Sequence, residues 1–316
     1  MFAYIVKRIA SLVPVLFVVS IVIFMIIHMT PGDPAATILG LEATPEQIAE
    51  LNERMGLNEP IHIQYISWVA NVLRGDLGDS IFMQQPVTES IKEHFGPTVS
   101  LAIFAQLIAI LLAIPFGIIA AYKRGTLVDT VLMSVSLLGM AIPGFLLGLF
   151  LMLFFSVYLG WLPVAGYRGL KMGIWTHYRY LILPALSLGT VQAALITRMT
   201  RSAMLDVLYL NYIKTARAKG LKESVVLLKH SLKNAALPIL TVVGSSFGTL
   251  VTGAVVVESL FNIPGMGQLI LNSITRRDIA VVQGVVLFVT LIYVGVNLVV
   301  DLLYGVFDPR VRLGRK

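Results

Sequence analysis

Six long runs of this chain contain no Asp, Glu, Lys or Arg: residues 9–27, 99–121, 130–158, 180–197, 234–257 and 279–300. A bilayer's hydrocarbon core needs about 20 residues of helix to cross it. Inside lipid every backbone amide must find its partner within the segment, so apolar runs of this length fold as helices. Soluble folds are therefore excluded. The sequence predicts an all-α integral membrane protein with six transmembrane helices, and a composition of 57% hydrophobic and 13% charged residues over 316 positions agrees.

The first run follows Lys7 and Arg8 as a signal peptide would. Its apolar length exceeds the roughly 7 to 15 residues of such a leader and no small-residue cleavage site follows, so it reads as a retained span. Zero cysteines exclude disulfides, thiolate metal sites and cysteine nucleophiles. The net charge of +7 points to orientation rather than to nucleic acid. With the N-terminus placed in the cytoplasm, the inside segments hold 16 Lys and Arg against 5 acids, and the outside segments 8 against 12. That asymmetry is the positive-inside pattern and puts both termini in the cytoplasm.

Between the first two spans, residues 31–97 read as a small extracytoplasmic helical segment. Thr44-Pro45-Glu46-Gln47 supplies a capping box before Ile48, Leu51 and Met55, with Gly56 placed to end the helix. A second helix is expected from Ile61 to Arg74 and a third from about Thr88 to Phe95, stopping at Gly96-Pro97. Such helices would pack over the external mouth of a membrane bundle. The third run is longer than one crossing needs and carries Pro143-Gly144 near its middle; a packing kink is the simpler reading and a pathway lining the alternative. Gly144-x-x-x-Gly148 and Gly244-x-x-x-Gly248 allow close helix approach. The expected divisions are 1–30, cytoplasmic N-terminus and first span; 31–97; a five-helix core, 98–309, with a cytoplasmic loop at about 198–233; and a cytoplasmic tail, 310–316.

Two catalytic and phosphate-binding motifs are missing: no Gly-x-x-x-x-Gly-Lys-Ser/Thr loop and no His-Glu-x-x-His. His28, His62, His94, His177 and His230 are scattered and read as interface or surface residues. A self-sufficient ion-driven carrier keeps ionisable groups or broken helices near the midplane, and the charge-free spans count against it. A non-transporting scaffold is the third class. Against this plain background stands a basic island between Arg198 and Lys233, eight Lys or Arg against two acids. It is polar, helical by composition, and pinned between two spans where a soluble partner can reach it.

The island reads Tyr212-Ile-Lys-Thr-Ala-Arg-Ala-Lys-Gly220-Leu221 and continues Lys229-His-Ser-Leu-Lys-Asn-Ala-Ala-Leu-Pro238. It resembles the EAA-type loop of ABC importer permeases in the dipeptide/oligopeptide/nickel group. Further matching segments run along nearly the whole chain: Thr30-Pro-Gly-Asp-Pro34, Gly56-Leu, Gln64-Tyr, Gly75-Asp-Leu-Gly78, Arg198-Met-Thr-Arg-Ser202, Glu258-Ser-Leu-Phe-Asn-Ile-Pro-Gly-Met-Gly267, Arg277-Asp278 and Asp308-Pro-Arg310. In this order they resemble the "B" permease, which has the larger external segment. Two features depart from the widest motif: Lys214 stands where it has Glu, and the distance from Gly220 to Pro238 is longer than usual.

The resemblance implies a heterodimer with a second homologous permease, two ABC ATPase subunits, an extracytoplasmic solute-binding protein, and a place in a bacterial or archaeal inner membrane with lipid around it. It implies no catalysis and no bound cofactor in this chain, ATP and magnesium being used by the ATPase subunits. Asn211, Tyr212, Thr215, Ala216, Arg217, Ala218, Lys219, Gly220 and Leu221 would form the coupling helix and its end. Ala216 and Ala218 would permit close seating on the ATPase, with Arg217 and Lys219 meeting its acidic or carbonyl groups. The solute implied is a dipeptide, oligopeptide, glutathione, or nickel or its chelate. Phe261, Pro264 and Gly265, with Glu258 at their edge, read either as a re-entrant gate near the external mouth or as an ordinary wet turn. Pro143 and Gly144 are the other pathway candidates.

Overall fold

The computed structural model describes residues 2–29, 36, 39, 43–54 and 56–307, and their side chains except at 2–9, 26–29, 51, 54 and 303–307. Thr30-Pro-Gly-Asp-Pro34, Met55, Asp308-Pro-Arg310 and the tail 310–316 lie outside the described residues. The helices are α1 (Phe2–Met29), α2 (Pro45–Arg54), α3 (Ile61–Leu73), α4 (Val87–Tyr122), α5 (Leu127–Ala141), α6 (Gly144–Leu151), α7 (Ile174–Leu208), α8 (Asn211–Ala218), α9 (Glu223–Gly253), α10 (Val255–Leu260), α11 (Met266–Thr275) and α12 (Ile279–Phe307). A wide-turn π-helical stretch, Met152–Tyr158, continues α6, and another, Val226–Ser231, lies within α9. Among the described residues the single strand-like pairing is the bridge between Asp79 and Pro86.

Four helices, α4, α7, α9 and α12, are long and apolar enough to cross a membrane; α5 with α6 makes a fifth, broken span, and α1 carries the apolar stretch Ala10–Met25. The protein is an integral membrane helical bundle. By contacts it forms two units, Pro97–Gly267 with Gly295–Lys316, and Phe2–Gly96 with Gln268–Val294.

In the first unit, α7 carries buried residues along its length from His177 to Leu208, and α4 lies against it. Small residues allow this approach: a Cβ on Gly189 would stand 2.7 Å from the Ala105 carbonyl oxygen, and one on Gly117 2.5 Å from Thr200 Cβ. Ala109, Ala113, Ala193 and Ile196 form the buried cluster shared by the two helices. Backbones this close gain dispersion contacts that lipid cannot supply to either helix alone. His177 is buried rather than superficial, its Nδ1 2.6 Å from the Arg168 carbonyl and its ring packed edge-on to Tyr167 and Tyr178.

Two prolines behave differently from the sequence expectation. Gly96-Pro97 does not stop the third external helix; α4 runs through it to Tyr122. Val87 and Ile91 before the proline and Leu101, Ala102 and Ala105 after it are all buried. Burial on both sides outweighs the roughly 3 kcal/mol that an interior proline costs. Pro143, by contrast, does more than kink its span: α5 and α6 meet at 100°. A proline pushes the preceding residue out of the α region, and Ile142 sits at φ −86°, ψ 120° with Pro143 itself at ψ 135°.

The start of α5 is tied to α7 by a bidentate ion pair. Arg201 Nε and Nη2 each donate at 2.7 Å to the carboxylate oxygens of Asp129, which also accepts from the Gly125 amide at 3.0 Å. The Asp129 carboxylate is nearly covered, at 8% exposure. Asp129→Asn leaves a guanidinium facing an amide, and we expect a loss of about 1–3 kcal/mol, read as a lower unfolding temperature in detergent.

In the second unit, the Thr44 and Gln47 pair forms the reciprocal capping box, with Thr44 N to Gln47 Oε1 at 2.9 Å and Gln47 N to Thr44 Oγ1 at 3.3 Å. Helix α3 packs along α1, where Ser20 Oγ and Tyr65 Oη lie 2.7 Å apart. Asp278, 2% exposed, accepts from Ser80 Oγ at 2.6 Å and from the Phe82 amide at 3.3 Å, fixing the loop before α4 to the start of α12.

Candidate functional site: an exposed docking helix and a buried carboxylate turn

Helix α8 is short because it lies between two bends. Leu210, extended at ψ 148°, starts it, and Gly220 at φ +76° ends it. The Gly220 amide donates to the Arg217 carbonyl at 2.9 Å and the Lys219 amide to the Thr215 carbonyl at 3.0 Å, so the last turn is satisfied internally. A left-handed φ suits glycine, and no atom lies within 4 Å of where a Cβ would stand. The demand on residue 220 is one of backbone conformation, not of space.

Ile213 and Ala216, three residues apart, face inward. They are 0% and 7% exposed and pack with Met204, Val207, Leu208 and Val226. Asn211, Tyr212, Lys214, Thr215 and Ala218 are exposed, as are Lys219, Gly220 and Leu221 beyond the helix. Ala216 therefore seats α8 on its own chain, and close approach from outside falls to Ala218. Arg217 is also engaged within the chain: its Nη2 donates to Glu223 Oε1 at 2.6 Å, linking α8 to the start of α9. Glu223 holds the Arg217 guanidinium charged beyond its ordinary range, while partial burial pushes the Tyr212 phenol up. The free cations of the helix and its end are Lys214 and Lys219, neither of which forms an ion pair among the described residues. What remains exposed is a polar, cationic, narrow surface with two apolar edges, Tyr212 and Leu221, each 40% exposed.

The second candidate region forms where α9 ends. Glu258, on α10, is 0% exposed. Thr98 Oγ1 donates to its Oε1 at 2.6 Å and the Gly267 amide to its Oε2 at 2.8 Å, while Thr98 Oγ1 accepts from the Met266 amide at 2.8 Å. A buried carboxylate with hydrogen bonds on both oxygens acts as a nucleus around which a chain reverses. Gly265 and Gly267 are required there. A Cβ on Gly265 would collide with the Glu258 carboxylate, and one on Gly267 would stand 2.5 Å from Val255 Cα.

Phe261, Ile263 and Met266 are buried and Pro264 is exposed. The turn is thus dry rather than an ordinary wet one. The Phe261 carbonyl accepts from the Gly166 amide at 2.7 Å. Gly148 of α6 lies against it, so that a Cβ there would be 3.1 Å from both Leu260 Cδ2 and Phe261 Cε2. Structure therefore joins Glu258, Phe261 and Gly265 to Thr98 and to the half-span after the break. Gly144 lies elsewhere, where a Cβ would stand 3.4 Å from the Ser187 carbonyl oxygen of α7.

Sequence reasoning placed Glu258 at a span end and left Thr98 and Gln106 unremarked. Thr98 carries no motif; only the fold reveals its partner 160 residues away. Gln106 is 6% exposed within α4, its Oε1 accepting from Ser246 Oγ at 3.1 Å while its Nε2 has no partner among the described residues. A glutamine in a run otherwise free of charge was the available signal.

Comparison with known families matches residues 113–313 to the binding-protein-dependent transport system inner membrane component, and residues 1–102 to the N-terminal part of a binding-protein-dependent transport system membrane component. A probable peptide ABC transporter permease of Sinorhizobium fredii is 40% identical, over 98% of this chain and 99% of its own. A glutathione transport system permease of Salmonella typhimurium is 42% identical over 99% of each. A dipeptide transport system permease of Alkalihalophilus pseudofirmus is 42% identical over 99% of this chain and all of its own. Among solved structures, an inward-facing form of the MetNI methionine ABC transporter aligns with a TM-score of 0.59, at 16% identity over 69% of this chain and 96% of that one, which bears on the fold alone.

Proposed function

Because this chain belongs to the binding-protein-dependent transport system inner membrane component family and is a multi-pass permease subunit of an ABC importer, we propose that its solutes are small peptides, glutathione among them. The relatives named for peptide, dipeptide and glutathione transport resemble it at 40–42% identity over nearly full length. That similarity supports a peptide-like solute and gives no preference within the class. In this reading both termini and α8 lie in the cytoplasm, following the positive-inside pattern. The chain pairs with a second permease, two ATPase subunits and an extracytoplasmic binding protein. It neither binds ATP nor catalyses a reaction; ATP and magnesium act in the ATPase subunits.

The observation that carries the mechanism is α8 itself, a helix rooted by Ile213 and Ala216 and presenting Asn211, Tyr212, Thr215, Ala218 and Lys219 to solvent. It is the coupling helix. ATPase closure moves α8, and α8 moves the rigid α4–α7 pair because its root shares the cluster of Ile118, Met204 and Val207. The buried Glu258 turn, with Phe261, Pro264, Gly265 and the Pro143-Gly144 break, forms the gate at the other end of the path.

The test is uptake into proteoliposomes of a labelled dipeptide and of glutathione, with all subunits and the binding protein reconstituted. Uptake that needs ATP and this chain together is expected. Uptake that persists without the ATPase subunits would establish a self-sufficient carrier instead, and uptake that survives omission of this chain would make it a scaffold.

A further inference from the structure

In the unit formed by Phe2–Gly96 and Gln268–Val294, α3 lies along the C-terminal end of the apolar stretch of α1. Besides the Ser20 to Tyr65 contact, the Phe24 ring sits 5.3 Å from Tyr65 and 5.9 Å from Trp68. An aromatic cluster at the end of a span belongs where hydrocarbon gives way to headgroups. Beside it opens a cavity of about 270 Å³ whose walls include Phe24, Trp68 and Ile63 and whose polar groups are Glu59, Gln64, Ser67, Asn71 and Gln283; among the described residues no Lys, Arg or His lines it.

Gln283 is the deep end of this cavity. It is 7% exposed, and its Nε2 donates to the Ile23 carbonyl at 2.9 Å. A carbonyl only accepts, so that bond fixes which end of the amide is which and leaves Oε1 as an acceptor with no partner among the described residues. At the mouth, the exposed Glu59 carboxylate likewise forms no bond among the described residues. Two acceptors, one of them charged, stand on an aromatic and aliphatic wall with no cation among the described residues to receive an anion. Aromatic faces attract cations and repel anions.

The geometry points to a binding site for an organic ammonium group: its N–H donates to Gln283 Oε1, its charge faces Glu59, and its alkyl portion lies on Phe24 and Trp68. The volume accommodates a headgroup or one side chain and excludes an acyl tail. Ethanolamine headgroups of lipid and soluble amines share this chemistry.

The experiment uses the full chain in nanodiscs, with Trp161 and Trp175 replaced by Phe so that Trp68, one of three tryptophans, reports alone. Butylammonium chloride is titrated against sodium chloride at equal ionic strength. In phosphatidylglycerol discs, a saturable change in Trp68 emission is expected with butylammonium only, and Glu59→Gln, on an exposed side chain, should weaken it about ten-fold. If phosphatidylethanolamine discs shift the titration to higher concentration, the lipid headgroup is an occupant; if both discs titrate alike, the site serves soluble amines. A butylammonium response no different from sodium, or one that Glu59→Gln leaves unchanged, overturns the site.

Discussion

Gly220→Pro is expected to abolish solute-stimulated ATP hydrolysis in the reconstituted transporter while leaving the chain inserted and folded. Proline fixes φ near −65°, whereas residue 220 sits at +76° and donates its amide to Arg217. The last turn of α8 must therefore unwind, displacing Lys219 and Leu221 from the exposed face. Damage stays local, because no side chain packs around Gly220 and the buried root at Ile213 and Ala216 is untouched. Gly220→Asn is the discriminating control. Asparagine tolerates the left-handed region better than other side chains, so it should retain most of the stimulation. Equal loss in both variants would mean that residue 220 is touched by a partner rather than needed for its backbone, and full stimulation in Gly220→Pro would remove α8 from the coupling path. Arg217→Glu should act differently, placing two carboxylates where Arg217 now bonds Glu223 and loosening the joint between α8 and α9.

The helical bundle was legible because its signal is additive: a long charge-free run reports a span whatever its neighbours are. The short helix α8 was legible as a helix from its composition, and so was its end, since glycine after a basic helical turn marks a left-handed stop. Its inward face was not. Ala216 and Ala218 look alike in sequence, and only packing against Met204 and Val226 decides that one is root and the other surface. The intrachain partner of Arg217 was hidden for the same reason, since Glu223 lies beyond a turn whose geometry a sequence does not give. Local rules also failed at Gly96-Pro97, where burial on both sides overrides a helix stop. They understated Pro143, where no comparable packing restores the helix. The carboxylate turn was half legible: its glycines and proline announced a reversal, but what it reverses around needed Thr98, brought in from α4.

Glu258→Leu is expected to cost the transporter most of its uptake, at least ten-fold, through loss of the turn that carries Phe261. Leucine nearly matches glutamate in volume, so packing is conserved while the Thr98 hydroxyl and the Gly267 amide lose their acceptor inside a dry site; each orphaned donor costs about 1–3 kcal/mol. Glu258→Gln should be intermediate. One amide oxygen can serve Thr98 or Gly267 but not both, since the NH₂ then faces a donor. Gly265→Ala approaches the same defect from the other side, because its methyl group occupies the space of the Glu258 carboxylate. These two effects are coupled through a single volume. The double variant Glu258→Ala with Gly265→Ala should therefore lose less stability than the sum of its singles, by about 0.5–3 kcal/mol, measured by thermal unfolding in detergent alongside uptake. Strictly additive losses would show that Gly265 is required for some reason other than the carboxylate. Normal uptake in Glu258→Leu would show that the turn holds its shape without the buried carboxyl group, leaving Phe261 and Gly148 as the contact that closes it.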